Sequence, residues 1–454
     1  MRSLWPRGGL WRHRDFLKLW SAETISQFGS QVSQLALPLV AILILDANAF
    51  EVATLYTIEF LPFILFTLPA GVWVDRLPRR PILIAGDFGR ALLLGSIPVA
   101  YVADVLTIWQ LYVVGFCVGI CTVFFDVAYQ SYLPSLVERD QIIDGNSKLE
   151  ISRSASQLGG PGLSGGIVEL FTAPYAVLLD AVSFVSSGLF LLRIKKEEPP
   201  IAAPAEGSAK PSMWTELKEG LRFVLGNPNL RAQAGCTATS NLFSSLAFAI
   251  YLVFAVRELG LSAGVIGITF SLGAAGSLVA AFTALRISRR FGIGPTTIVV
   301  AAAFGPSMLL VAFAPEGNDA IPLLVVSQLV FGFTVVVYNI IQVSYRQAIC
   351  PPRLQGRMNS VMRFIVWGTI PIGALAGGVL GTWIGLRETI VAGGIGGGLS
   401  FLWILFSPQR HLRDMPEPIA EEEEPLQTEA GAAVPGVVDP WDEDVWAPVD
   451  EPRS

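Results

Sequence analysis

Charge, histidine and cysteine are scarce in this chain of 454 residues: 15% of it is Asp, Glu, Lys or Arg, and it holds two histidines and four cysteines. Soluble domains carry about 25% charged residues, so the surface of this protein is not built for water alone. Cys117 and Cys121 lie four apart in one apolar segment, while Cys236 and Cys350 stand isolated, and no metal-ligand spacing emerges. His13 and His411 fall in polar ends. Hydrolases and metalloenzymes thereby lose their usual residues, and the lack of a Gly-x-x-x-x-Gly-Lys-Ser/Thr loop argues against nucleotide hydrolysis. The expectation is a chain with no enzymatic activity, no cofactor, no metal site and no nucleic-acid partner.

Apolar sequence is abundant instead, 52% of the chain without counting its 44 glycines. A membrane-spanning helix needs about 20 mostly apolar residues to cross about 30 Å of hydrocarbon. Segments of that kind lie near 17–45, 51–74, 82–103, 107–131, 145–169, 173–193, 232–256, 264–285, 296–314, 320–344, 358–383 and 388–407. They predict an all-α membrane protein of twelve spans. Loops on one side hold Arg76, Arg79, Arg80, Arg139, Arg193, Lys195, Lys196, Arg286, Arg289, Arg290, Arg353 and Arg357, whereas the opposite turns hold Arg257 and Arg387. By the positive-inside rule both termini are expected in the cytoplasm of a cell whose plasma membrane holds the chain. The basic stretch Met1 to Lys18 runs into a long half-polar segment and does not read as a cleaved signal peptide.

An internal repeat divides the spans. Gly71-Val-Trp-Val-Asp75-Arg76-Leu-Pro-Arg79-Arg80 closes the second, and Ala281-Phe-Thr-Ala-Leu285-Arg286-Ile-Ser-Arg289-Arg290 closes the eighth. Asn146-Ser147 ahead of Gly165-Gly166 is echoed by Asn359-Ser360 ahead of Gly377-Gly378, so every offset is 210 to 213 residues. Two pseudo-symmetric six-helix halves, 1–193 and 232–407, are the arrangement of a transporter with alternating access. Between them, 194–231 reads as a cytoplasmic linker in which Trp214, Leu217, Leu221 and Leu225 share one face of an interfacial helix. The acidic segment 408–454 reads as a disordered cytoplasmic tail.

Polar groups inside a membrane are costly and face a cavity or another helix. Glu23, Gln27, Gln31 and Gln34 recur on one face of the first span. The fourth span carries Asp126 and Gln130, the seventh Thr237, Asn241 and Ser244, the tenth Asn339, Gln342 and Arg346. Polar residues on every third span predict a central hydrophilic cavity, with hydrogen bonding between helices as the other reading. Glu59, mid-span ahead of Pro62, is read either as a proton carrier or counter-charge, or as a carboxyl protonated or paired by a neighbouring helix. Glu150 with Arg153 is a local pair or a substrate contact; Asp180, and Asp87 with Arg90, read as structural. In the fifth span Gly159-Gly160-Pro161-Gly162-Leu-Ser164-Gly165-Gly166 gives a closely packed, bendable helix.

At these residues the chain resembles the major facilitator superfamily, over about residues 10 to 407. Gly71, Asp75, Arg76, Arg79 and Arg80 match its loop 2–3 signature, with Pro78 where the pattern usually has Gly, and Gly160-Pro161 is similar to its helix-five antiporter motif with a displaced glycine pair. Leu61-Pro62, Phe124 to Gln130 with Leu133-Pro134, Asp180 to Phe184 and Gly356 to Ser360 are similar to enterobactin-exporter-like and macrolide-efflux-like bacterial exporters. The resemblance implies the major facilitator fold and a monomeric, proton-driven exporter of a small organic molecule, a drug, secondary metabolite or siderophore. Asp75 would latch the inner ends of the second and eleventh spans in the outward-facing state, and Leu285 at the repeated position supplies no second latch. The fourth span lacks the Arg-x-x-Gln-Gly run linked with proton coupling in drug antiporters, so Glu23, Glu59 and Asp126 stand as candidate proton carriers. An uptake symporter of the same fold and a non-transporting membrane sensor or scaffold are the alternatives.

Overall fold

The computed structural model describes residues 10–74, 76–138, 141–196, 198, 213–351 and 354–414, and all regular structure among them is helical. Six helices come first: α1 (Arg14–Leu43), α2 (Ala49–Val74), α3 (Arg79–Val102), α4 (Ile108–Leu136), α5 (Ile142–Phe171) and α6 (Ala173–Leu192). After α7 (Met213–Gly226) come α8 (Pro228–Arg257), α9 (Ala263–Phe291), α10 (Ile293–Ala312), α11 (Ile321–Ile349), α12 (Gln355–Trp383), α13 (Leu386–Gly398) and the short α14 (Leu402–Leu405). Asp75, Arg139, Arg353, the stretch 199–212 and the tail from 415 lie outside the described residues, as do the side chains of Trp214 and Leu217.

The helix starts are written in local chemistry. His13 Nδ1 accepts from Phe16 N–H at 3.0 Å, so this histidine caps α1. Asn48 and Glu51 form a reciprocal capping box at α2, and Asn227 accepts from the amides of Asn229 and Leu230 with Pro228 in the first turn of α8. Among the described residues, ten helical segments are long and apolar enough to cross a membrane. Helices α1 and α5, at 30 residues each, have the length but not the apolarity, because α1 carries Glu23 and three glutamines and α5 carries Asp144, Lys148, Glu150 and Arg153. Leu92, Leu170, Phe282 and Phe406 each expose three-quarters or more of their surface, an apolar belt that only lipid solvates favourably. Trp109, Trp383 and Trp73 stand exposed near helix ends, at the depth where indole rings meet headgroups.

Helix pairing follows a two-fold pattern. In the first set α1 packs on α5 and α6, α3 on α4 and α6, and α2 on α4. In the second set α8 packs on α12 and α13, α10 on α11 and α13, and α9 on α11. Each pair has its counterpart six spans later, and the sets meet through α5 on α9 and α2 on α12, a related pair of contacts. Glycines set these crossings: a side chain on Gly267 would strike the Pro161 carbonyl and Gly165, and one on Gly378 would strike Ala53 and Phe50.

The buried core is continuous across both sets at one end only. There Leu39 and Val40 of α1, Leu55 of α2, Ile250 and Phe254 of α8 and Ile266 of α9 belong to one cluster. At the other end, which holds the basic loops, Phe16, Leu83, Phe125 and Leu191 form a core of the first set alone. The second set has its own, around Val300 and Tyr338 and around Tyr345 and Met358. The bundle is therefore sealed at the end away from the basic loops.

Candidate functional site

Beneath the seal lies a cavity of about 470 Å³. Gln31, Gln34 and Pro38 of α1, Tyr56, Glu59, Phe60 and Phe63 of α2, Pro161 of α5, Phe248 and Tyr251 of α8 and Phe270 of α9 line it. Pro161 comes to its wall because Gly160 lies directly against the Gln31 side chain, so α5 and α1 touch at backbone distance. Six aromatic rings and one carboxylate make this a site for an apolar body carrying a polar or positively charged group. The carboxyl of Glu59 abuts Gly115 of α4, and its Oε1 is buried with no hydrogen-bond partner among the described residues. An ionised carboxylate in such surroundings must be neutralised by a proton or a cation.

Charged groups of the first set gather nearer the basic end. Arg90 of α3 is 4% exposed, donates to Asp87 Oδ1 at 2.6 Å, and lies between the rings of Phe125 and Phe184 at 4.3 and 4.1 Å. Ser183 donates to the buried Asp180 at 3.0 Å. Glu23 accepts from Gln27 at 2.7 Å and leaves Oε2 without a partner. Asp126, Gln130 and Arg153 are exposed although they sit on helices that span the bundle. In the second set Asn241 donates to the Val366 carbonyl at 3.0 Å, Gln342 donates to Asn339 at 3.1 Å, and Asn339 is exposed. Arg346 is half-buried, its Nε unpartnered among the described residues. Exposed polar groups at this depth would be costly against lipid.

The seal itself is polar at its rim. Arg257 at the end of α8 donates to Asp46 Oδ1 at 2.7 Å and to the Ala47 carbonyl at 2.9 Å. Asp46 holds a left-handed backbone, φ 50°, a conformation aspartate tolerates. Glu169 accepts from the Gly264 amide in the first turn of α9 at 3.0 Å, and Ser271 accepts from the Gly162 amide at 2.8 Å. Arg387 pairs with Glu258 at 3.5 Å beside the Phe254 ring. Both arginines of the less basic end are thus neutralised on the spot.

At the basic rim Glu198 accepts from the amides of Arg79 and Arg80 at 2.9 and 2.6 Å, capping α3. The Arg80 guanidinium donates to the carbonyls of Leu191 and Leu192 and so closes the end of α6. Arg76 is exposed, and among the described residues nothing approaches within 4 Å of where a side chain on Gly71 or Gly166 would sit.

The sequence matches the Major Facilitator Superfamily over residues 19–364 and 234–446. The chain belongs to that superfamily. As a member it is a multi-pass membrane transporter acting on a small molecule. It is 25% identical over 357 residues to the Multidrug efflux pump Tap of Mycolicibacterium fortuitum, covering 76% of this chain and 84% of that one. Macrolide efflux protein A of Streptococcus pyogenes is 22% identical over 386 residues, 84% of this chain and 92% of the relative. Among solved structures, a bacterial homologue of the iron transporter ferroportin in its inward-facing state aligns with a TM-score of 0.65 at 19% identity, over 86% of this chain and 98% of that one. That likeness carries the fold alone.

Within this superfamily member Gln31, Gln34 and Glu59 meet in one cavity, while Glu23, Gln27, Asp126, Gln130, Arg153, Asn241, Asn339, Gln342 and Arg346 do not line it. Arg363 of α12 is exposed and stacks on Trp367 at 5.1 Å, and Trp367 meets Phe60 edge-on at 5.8 Å. Sequence reasoning passed over Arg363; the repeat points to it, because Arg153 stands 210 residues earlier.

Proposed function

We propose that this transporter exports an amphipathic organic cation across the cell membrane in exchange for a proton, with Glu59 as the shared site. The unpartnered carboxyl of Glu59 on the wall of an aromatic cavity carries this reading. With the cavity open to the cytoplasm, Glu59 loses its proton and its charge draws the cation onto the rings of Phe60, Phe63 and Phe248. With the cavity open outside, a proton on Glu59 displaces the cation, so a univalent substrate leaves as one proton enters and the buried carboxyl is neutral or paired at every step. The efflux names of the two relatives favour export over uptake.

The same proposal takes 1–193 and 232–407 as the two moving halves, 194–231 as their cytoplasmic link, and a monomer with both termini in the cytoplasm of the cell. The present state is then inward-facing, held by Asp46, Arg257 and Glu169, and Asp75 is the latch of the opposite state. Arg257→Ala and Asp75→Asn are expected to shift the conformational balance in opposite directions. The first effect is at most about fivefold, since exposed ion pairs contribute about 0.2–1 kcal/mol. Labelling rates of a single cysteine at Gln34, read from each side of the membrane, check both signs; parallel shifts would remove the latch assignment.

Accumulation of lipophilic cations, macrolides and catecholate siderophores in an efflux-deficient bacterium, with and without an uncoupler, tests the function. The expected result is lower accumulation of the cations that the uncoupler abolishes. Higher accumulation on expression, or lower accumulation that survives the uncoupler, overturns the proposal.

A further inference from the structure

A second hollow among the described residues lies apart from the central cavity. It is a groove of about 670 Å³ on the outer surface of the second set, between α8 and the last span. Arg231 marks one end at the basic rim; Ala232, Thr239, Leu399 and Trp403 line its length, and Phe243 lies at the other end. Small residues keep it open: the Trp403 ring lies against Gly235, the Phe243 ring against Gly396, and Trp403 Nε1 donates to Thr239 at 3.1 Å, fixing the indole as a wall. Leu399 and Trp403 are half exposed, so the groove opens toward lipid.

From Pro228 to Phe243 the groove follows α8 for about 22 Å at 1.5 Å per residue. That is about one leaflet, half of a 30 Å core with its headgroup layer. Its charge lies at one end only. Arg231 is exposed and donates a long hydrogen bond to the Leu225 carbonyl at 3.4 Å. Leu225 in turn borders a shallow depression on α7 that also holds Lys218 and Leu221. An apolar channel of leaflet depth with the Arg231 cation at its polar mouth matches the shape and charge of a phospholipid carrying a negative headgroup.

We propose that this groove binds one anionic phospholipid, its phosphate on Arg231 and an acyl chain along Thr239, Leu399 and Trp403. Only the leaflet, the cytoplasmic one, is taken from the orientation proposed above, and the test does not depend on it. The full chain, solubilised with equal phosphatidylglycerol and phosphatidylcholine of identical acyl chains, is analysed by native mass spectrometry. The unaltered protein should retain the anionic lipid about fivefold over the zwitterionic one, the effect of one cation at the headgroup. Arg231→Gln should bring the two to parity, and Leu399→Trp, which fills the channel from its exposed side, should lower both. Equal retention of the two lipids by the unaltered protein overturns the proposal without recourse to any variant. So does retention unchanged in both variants, or displacement of the bound lipid by a transported cation, which would make the groove a substrate path.

Discussion

Glu59→Gln is expected to raise accumulation of a cationic substrate to the level of cells lacking the transporter, at unchanged membrane abundance. Glutamine keeps the size and one carbonyl oxygen of the side chain but neither charges nor releases a proton, so the two competing occupants of the site lose their common ligand. A charge-assisted hydrogen bond contributes about 1.5–3 kcal/mol, so affinity for the cation should fall about 10- to 100-fold. A neutral compound of the same apolar body, held by Tyr56, Phe60, Phe63, Phe248, Tyr251 and Phe270, should bind the variant as it binds the unaltered protein. Tryptophan quenching by the two compounds separates these outcomes. Equal loss for both would make Glu59 a packing residue, and uncoupler-sensitive export by the variant would move the proton to another carboxylate.

Asp87→Ala is expected to lower stability by about 3–5 kcal/mol, the cost of leaving a buried charge without its partner. Asp87 is fully buried, and the Arg90 guanidinium it pairs with is clamped between Phe125 and Phe184 and almost wholly buried. Most of the loss should be recovered when Arg90→Leu is added, because replacing both members of a buried pair by apolar groups removes the desolvation cost with the attraction. Thermal unfolding of the purified protein in detergent, followed by the monodisperse fraction, reads both variants. A single variant as stable as the unaltered chain, or a double variant no better than the single, would show that α3 draws nothing from this pair.

Features governed by spacing within one helix were legible without coordinates. Glu23 and Gln27 are four apart and hydrogen-bonded, Asp87 and Arg90 three apart and paired, and Asn339 and Gln342 three apart and bonded, as one helical face requires. Composition determined that the surface faces lipid, and the repeat predicted the doubled pattern of helix contacts. Spacing says nothing about which helix lies opposite. Polar residues on every third span suggested a cavity walled by the first, fourth, seventh and tenth. The wall beneath the seal instead combines α1 and α8 with α2, α5 and α9, because Gly160 lets α5 close on α1 while Gly165 and Gly267 let α5 and α9 close on each other. The Asp46–Arg257 contact joins residues 211 positions apart, and the lipid-side groove exists only because Trp403 finds Gly235. The sequence by itself determined the solvent, the helices and the polar face of each. Tertiary packing alone decided which faces meet and where the space between them stays empty, because side-chain volume is matched across helices and not along them.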